Sequence, residues 1–292
     1  MMKRAKRITI ASGKGGTGKT TVAINLYNLF DQGDEEVVLL DCDVEEPNLG
    51  LFFADKKVEL FKDLIQKRPK IHQDNCSFCR KCVDFCEFNA IVVLPSLSYA
   101  EINSDLCHSC GACLYVCNQN AIEEYPYKYG ELSLYSKNDS CFLFQGELEI
   151  GSAMQTVVIR ELKKTALERF PEGIQILDAP PGTSCPVVES FVGSDFAVLV
   201  TEPTSFGLND LKLTVNLVRK LNIPFGVVIN KSGLGGQEIY EYIDRESILL
   251  LGEIPFSKEY AKLYSNARLN HPDSAKFSHV FEQIFENIKL HL

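Results

Sequence analysis

The sequence predicts an α/β fold: a doubly wound, mostly parallel sheet with its ligand at the carboxyl ends of the strands, interrupted by one small inserted α+β domain. Three observations predict it. A glycine-rich stretch from Ser12 to Thr21 sits between an apolar run and a helical pattern. Short continuous apolar runs alternate with helical patterns through the second half of the chain, as buried parallel strands and their covering helices do. Between these regions lie eight cysteines in two equally spaced quartets, where the composition changes abruptly.

Ile8-Thr9-Ile10-Ala11 reads as the first strand, and Val22, Ala23, Leu26, Leu29 and Phe30 share one face of the helix that follows. Between them, Gly13-Lys14-Gly15-Gly16-Thr17-Gly18-Lys19-Thr20 matches G-x-x-x-x-G-K-[ST] in the strand–loop–helix setting a phosphate loop requires. The glycines let backbone N–H groups turn inward around an anion, and the helix presents its positive end there, from Lys19 through Thr20 and Thr21. Lys19 is expected to neutralise the β- and γ-phosphates, and the Thr20 hydroxyl to ligate Mg²⁺. Lys14 adds a second positive charge beside them. With this early lysine, the run KGGTGKT resembles the deviant Walker A motif of the MinD/Mrp/nitrogenase-iron-protein superfamily of P-loop ATPases. The resemblance implies ATP as the nucleotide and an ATP-dependent homodimer, with Lys14 reaching across to the partner's nucleotide.

Asp31-Gln32-Gly33-Asp34 ends the first helix, and Val37-Val38-Leu39-Leu40 is the next buried strand. It closes on Asp41-Cys42-Asp43-Val44-Glu45-Glu46-Pro47-Asn48, acids placed to serve Mg²⁺ and water beside a phosphate loop. This run resembles the superfamily's switch I. By that resemblance Asp43 orients the attacking water and Asp41 supports the metal. Cys42, between the aspartates, reads as a packed thiol.

Cys76, Cys79, Cys82 and Cys86 have x₂, x₂, x₃ spacing, and Cys107, Cys110, Cys113 and Cys117 repeat it 31 residues later. Asn89-Ala90-Ile91 recurs as Asn120-Ala121-Ile122 at the same offset, so the repeat is a duplicated unit rather than a cysteine pattern alone. Soft thiolates suit iron–sulfur clusters and also zinc, but a zinc module shows two C-x₂-C pairs, not two quartets. The spacing is similar to that of bacterial two-cluster ferredoxins, in which the fourth cysteine crosses to the other cluster. That resemblance implies two [4Fe-4S] clusters, one on Cys76, Cys79, Cys82 and Cys117, the other on Cys107, Cys110, Cys113 and Cys86. Glu87 and Asn118 stand where many ferredoxins have proline after the fourth cysteine. His108 reads as a surface or supporting residue, since four cysteines already suffice. Tyr125-Pro126-Tyr127-Lys128-Tyr129-Gly130 reads as a return linker. The expected organisation is an ATPase domain over 1–69 and 125–292, with a ferredoxin-like insert over 70–124, and it resembles MinD-like ATPases that carry an inserted ferredoxin domain.

In the second half, Ile174-Gln175-Ile176-Leu177 ends at Asp178-Ala179-Pro180-Pro181-Gly182-Thr183. An acid closing an apolar strand is the chemistry that holds a Mg²⁺-bound water, a role expected of Asp178. D-A-P-P-G resembles switch II of Mrp-like members, which places the Gly182 amide near the γ-phosphate. Phe196 to Val200 is a further strand, followed by a helix burying Leu211, Val215, Leu217, Val218 and Leu221. Phe225 to Lys231 is another, ending at Asn230, which by resemblance reads the adenine edge. After the strand Ile248 to Gly252, Glu253-Ile254-Pro255-Phe256 lines the base pocket by the same resemblance, including Pro255. Phe277, Val280, Phe281, Ile284, Phe285 and Ile288 recur at helical spacing in a last helix. Glu282 and Glu286 on it disfavour an anionic membrane surface, so core packing is expected. Cys185 stands seven positions after Asp178, the offset of a cluster-ligating cysteine in the nitrogenase iron protein. The other cysteines outside the quartets are Cys42 and Cys141, and no motif anchors Cys141.

With 292 residues and 45% apolar content the chain can bury a large core plus a small one. A net charge of −9 without a long basic run disfavours nucleic acid as a partner. Neither a signal-peptide core nor a run of transmembrane length occurs, so a cytoplasmic location is expected, where eleven cysteines point to ligation rather than disulfides. The expected activity is Mg²⁺-dependent ATP hydrolysis coupled to electron transfer through the two clusters, with an unnamed redox partner. Two other uses compete: assembly and delivery of clusters to an apo-protein, and a nucleotide switch in which the clusters only hold the insert together.

Overall fold

A computed structural model describes residues 4–33, 35–53, 57–138, 141–269, 274 and 277–292, with backbone alone at 57–60, 137–138 and 141–142. Asp34 therefore lies outside the described residues. In chain order the elements are β1 (Lys6–Ala11), α1 (Lys19–Phe30), β2 (Val37–Asp41), β3 (Lys57–Ile71), α2 (Lys81–Asp84), β4 (Ile91–Leu94), β5 (Tyr99–Ile102), α3 (Ala112–Val116), β6 (Ile122–Asn138) and β7 (Cys141–Leu148). There follow α4 (Gln155–Arg169), β8 (Ile174–Asp178), α5 (Cys185–Phe191), β9 (Phe196–Thr201), α6 (Ser205–Lys220), β10 (Phe225–Ser232), α7 (Glu238–Arg245), β11 (Leu249–Pro255), α8 (Lys258–Ser265) and α9 (Ser278–Lys289).

Nine strands form one sheet in the order β11-β10-β9-β1-β8-β2-β7-β6-β3. The pairs from β11 through β2 to β7 are parallel. Alternation along the strands divides the core between the two faces of the sheet. Ile8, Ile10, Val198, Val200 and Val228 pack with α1, α8 and α9, while Ala11, Ala197, Leu199, Val227 and Ile229 pack with α5, α6 and α7. Apolar residues on both faces are what make these strands continuous hydrophobic runs. The fold class is thus an α/β domain with a large, mostly parallel sheet. In α9, Phe281, Ile284 and Ile288 are fully buried and Phe277, Val280 and Phe285 pack against the same cluster, so its apolar face is core.

The chain divides into two compact units, Met1–Phe61 with Leu132–Glu147 and Ile159–Leu292, and Lys62–Glu131 with Leu148–Val158. Strands β3 and β6 each contribute one part to either unit. The expectation of a linker at 125–130 fails: these residues belong to β6. Tyr125, Tyr127 and Tyr129, a residue type of high strand propensity, alternate at period two, and that pattern outweighs the Pro-Gly content. In the second unit β4 and β5 pair antiparallel, Ile91 opposite Ile102. Its small core gathers Ile71, Ile91, Val93, Ala100 and Cys113.

Candidate functional site

The phosphate loop is shaped by backbone first. Gly16 and Gly18 take φ of +75° and +99°, left-handed values that aim successive N–H groups to one side. Gly18 is the N-cap of α1, and no side chain caps that terminus, so its free N–H groups remain for a ligand. A Cβ on Gly18 would come within 2.2 Å of Asn230 Nδ2. One on Gly13 would meet Asp210 Cβ at 2.5 Å, so Gly13 serves packing behind the loop.

The loop encloses a cavity of about 340 Å³, with Gly15, Gly16, Gly18, Lys19, Thr20 and Thr21 on its phosphate side. Asp43, Glu46 and Asn48 line it from the loop after β2, and Pro255, Phe256, Tyr260 and Tyr264 close the far side. Asn230 lines the cavity too, but its amide is engaged: Nδ2 donates to the Thr17 carbonyl oxygen at 2.7 Å, and Oδ1 accepts from Lys231 N at 2.8 Å. Asn230 therefore fastens the end of β10 to the phosphate loop. Lys231, in a left-handed conformation at φ +57°, donates from Nζ to the Gly16 carbonyl oxygen at 3.2 Å and to the Glu202 carboxylate. Lys14 pairs with the same carboxylate at 3.4 Å and stands outside the cavity wall. Burial opposes ionisation of Glu202, but the Lys231 hydrogen bond and the charges of Lys231 and Lys14 outweigh it and hold its pKa below the ordinary value.

Behind Thr20 lie two buried acids at the ends of adjacent strands, Asp41 and Asp178, partners in the β2–β8 register. Thr20 Oγ1 donates to Asp178 Oδ2 at 2.6 Å. Asp178 Oδ1 is buried without a hydrogen-bond partner. Burial pushes the Asp178 carboxyl up to about 6 against the opposing pull of Lys19 and Thr20. Burial also raises Asp41 well above the carboxylate range, Asp178 adds to this, and N–H bonds from Leu49 and Asp43 oppose it. Asp41 accepts from the backbone of Asp43 (3.2 Å), Asn48 (3.0 Å) and Leu49 (2.9 Å), so it holds the loop that carries Asp43. An orphaned buried carboxylate oxygen beside a second buried acid and the Thr20 hydroxyl is a donor set that fits Mg²⁺. The Gly182 amide, at φ +96°, donates to the Ser12 carbonyl oxygen at 3.0 Å, and a phosphate contact would first require that bond to open. Sequence reasoning missed Glu202, Lys231, Tyr260 and Tyr264. The two tyrosines stand four apart after E-I-P-F, on one face of α8, and that spacing was readable.

In the second unit the cysteines of the two quartets exchange their fourth members. Cys76, Cys79, Cys82 and Cys117 line one cavity, and Cys86, Cys107, Cys110 and Cys113 line another. Phe88 stacks on the His108 ring at the second, centroids 4.0 Å apart. Left-handed residues recur at the 31-residue offset of the sequence repeat: Phe78 with Ser109, Arg80 with Gly111, Asn89 with Asn120. Such alternating backbone directs N–H groups to an anion. Phe78 N donates to Cys76 Sγ at 3.4 Å, and Ala90 N to Cys86 Sγ at 3.3 Å. Among the described residues, no three His, Cys, Asp or Glu side chains converge on a single metal-ion position. Cys42 is fully buried and burial raises its thiol pKa far above the ordinary value, whereas Cys185 is exposed at the start of α5. The Cys141 side chain lies outside the described residues. Among the described residues no helix is long and apolar enough to cross a membrane.

A left-handed glycine loop opening a parallel-sheet helix, a Thr–Asp pair behind it and an adjoining cavity define a P-loop nucleotide-binding ATPase. The chain belongs to the family of the CobQ/CobB/MinD/ParA nucleotide binding domain, whose model matches residues 8–270. An uncharacterized protein of Methanocaldococcus jannaschii is 33% identical over 283 residues, 97% of this chain and 96% of its own. More distantly, an iron-sulfur cluster carrier protein of Pyrococcus abyssi is 24% identical over 85% of this chain and 73% of its own. The septum site-determining protein MinD of Pyrococcus horikoshii, complexed with Mg-ADP, superposes with a TM-score of 0.59 at 17% identity, over 97% of this chain and 96% of that one.

Proposed function

We propose that this protein couples the nucleotide state of its ATPase site to electron transfer through two [4Fe-4S] clusters held by an inserted ferredoxin-like domain. One observation carries the reading: two cavities of the second unit are each lined by four cysteines, three from one repeat and the fourth from the other. Left-handed backbone recurs around each quartet, with N–H···S contacts at Cys76 and Cys86 that suit an anionic cluster. When bound, the clusters supply one-electron redox chemistry. In the ATPase site Lys19 neutralises phosphate charge, Thr20 and Asp178 hold Mg²⁺, Asp41 fixes the loop, and Asp43 orients the attacking water. Lys14 acts across an ATP-dependent homodimer. Strands β3 and β6, shared by the two units, give the coupling a continuous covalent route.

Anaerobically purified protein is expected to contain about eight iron and eight sulfide per chain. A dithionite titration followed by absorbance and electron paramagnetic resonance, with and without Mg-ATP, tests the coupling. Stoichiometric zinc without charge-transfer absorbance refutes the clusters, and a titration that ATP leaves unmoved refutes the coupling.

Likeness to cluster carrier proteins favours a second reading, delivery of a labile cluster to an apo-protein. Cys185, exposed on the switch after Asp178, would be its ligand. A four-thiolate site bridging two chains needs a second cysteine from each, and Cys42, fully buried, is not placed to supply it. Cys185→Ala should then lose iron above the eight-atom level, or lose transfer, with ATPase intact; unchanged iron and transfer would leave Cys185 a surface thiol.

A further inference from the structure

The two halves of the cysteine repeat differ in charge at a left-handed turn that both of them make. Aligned at the 31-residue offset, Cys79-Arg80-Lys81-Cys82 stands against Cys110-Gly111-Ala112-Cys113. Gly111 takes φ +76°, a conformation natural to glycine. Arg80 takes the same turn at φ +68°, a conformation that strains a residue with a side chain. Its guanidinium is tied down in return, Nη1 donating to the Val93 carbonyl oxygen at 3.1 Å. Arg80 and Lys81 both line the cavity of Cys76, Cys79, Cys82 and Cys117. The equivalent Gly111 and Ala112 line the cavity of Cys86, Cys107, Cys110 and Cys113, beside Phe88, His108 and Pro69, and no Lys, Arg, Asp or Glu lines that cavity. The exchange of fourth ligands sharpens the contrast. The first cavity takes Cys117, followed by the neutral Asn118; the second takes Cys86, followed by Glu87.

We infer that Arg80 and Lys81 make the two cluster sites electrically unequal, so that the site of Cys76, Cys79, Cys82 and Cys117 is the easier to reduce and is the one an entering electron occupies at rest. A four-thiolate cluster is anionic and gains one further negative charge on one-electron reduction, so fixed cations beside it favour the reduced form. Both side chains are exposed, and salt therefore weakens the effect. The inference rests on the two-cluster reading above. Arg80 and Lys81 act as tuning residues; neither is a ligand.

The test is an anaerobic redox titration, with dithionite as the electron source, of wild type, Arg80→Gly/Lys81→Ala and the charge-preserving Arg80→Lys/Lys81→Arg, each first assayed for iron and sulfide. Wild type should show two one-electron waves. Arg80→Gly/Lys81→Ala, which copies the other half and relieves the left-handed strain, should lower the upper wave by at least tenfold in reduction equilibrium, about 59 mV for one electron. The lower wave should stay in place, as should both waves of the charge-preserving variant. Raising ionic strength should draw the wild-type waves together. Eight irons with both waves unmoved in Arg80→Gly/Lys81→Ala, or with the lower wave moving instead, overturns the inference. Absence of iron from wild type overturns the cluster reading itself.

Discussion

Asp178→Asn separates what the carboxylate costs the fold from what it gives the site. Asp178 is 2% exposed, and its carboxyl is pushed up to about 6 from an ordinary 3.8. At about 1.36 kcal/mol per pH unit, holding it ionised in the metal-free fold costs about 3 kcal/mol above pH 7. The sign follows from the direction of the shift. Because the folded-state pKa is raised, the unfolded chain ionises first as pH rises from about 4, and the metal-free fold loses stability until the pH passes about 6. Asparagine removes the charge at nearly the same shape, but whichever way its amide is turned at least one donor, an amide N–H or the Thr20 hydroxyl, is left without its acceptor, which offsets part of that gain. Metal-free Asp178→Asn should therefore be more stable than wild type at pH 7.5, by at most about 3 kcal/mol, with the difference about halved at pH 5. Mg²⁺ should stabilise wild type and leave the variant unmoved, and Mg²⁺-dependent ATPase should be lost. Urea unfolding of both proteins side by side, with EDTA or Mg²⁺, reads all of this. A variant less stable than wild type at pH 7.5 that still hydrolyses ATP with Mg²⁺ would refute the reasoning.

Three further outcomes are expected. Lys19→Ala should weaken ATP binding at least tenfold, about 1.4 kcal/mol, whereas Lys14→Ala, held by Glu202 outside the cavity, should keep binding and lose hydrolysis and ATP-dependent dimerisation. Calorimetry, turnover and light scattering compare them, and identical defects would remove the distinct role of Lys14. Asp43→Asn should bind Mg-ATP yet hydrolyse it poorly, since Asp43 lines the cavity while Asp41 keeps its loop in place; normal turnover would move the water-orienting role elsewhere. Gly18→Ala forces a Cβ onto Asn230 Nδ2 at a left-handed position and should destabilise the first unit by about 1–3 kcal/mol while abolishing nucleotide binding; a thermal midpoint equal to wild type would show that the loop can shift.

Elements that carry their own period were legible. Residues 8–11, 37–40, 174–177 and 196–200 are strands because buried parallel strands read as continuous apolar runs, and α9 follows Phe281, Ile284 and Ile288. The return segment at 125–130 was misread because Pro126 and Gly130 signal a turn locally, whereas pairing within the sheet decides the state of the chain. Of the phosphate-site residues named by motif, Gly15, Gly16, Gly18, Lys19, Thr20, Thr21, Asp43, Asn230 and Pro255 line one cavity, and Lys14 stands outside it. The Glu202 bridge between Lys14 and Lys231 was not legible, since it joins three residues from separate strand ends that no spacing connects. The same holds for Asp41. Its expected service to a metal and its observed grip on the backbone at 43, 48 and 49 use the same residue type at the same place.

Three places in the chain share one backbone device. Left-handed residues stand two apart at Gly16 and Gly18, at Phe78 and Arg80, and at Ser109 and Gly111. The alternation turns consecutive N–H groups toward one side, the arrangement that cradles phosphates in one case and suits sulfur anions in the others. Only three of the six positions are glycine. A search for glycine-rich loops therefore finds the phosphate site and passes over both cysteine loops, which cysteine spacing reveals instead. At Phe78, Arg80 and Ser109 the left-handed turn carries a strain cost that glycine would avoid. A side chain kept at such a position must offset that cost by what it does. For Arg80 the offset is visible in its bond to Val93 and its place in the cavity wall, where with Lys81 it supplies the positive charge that Gly111 and Ala112 lack in the other half.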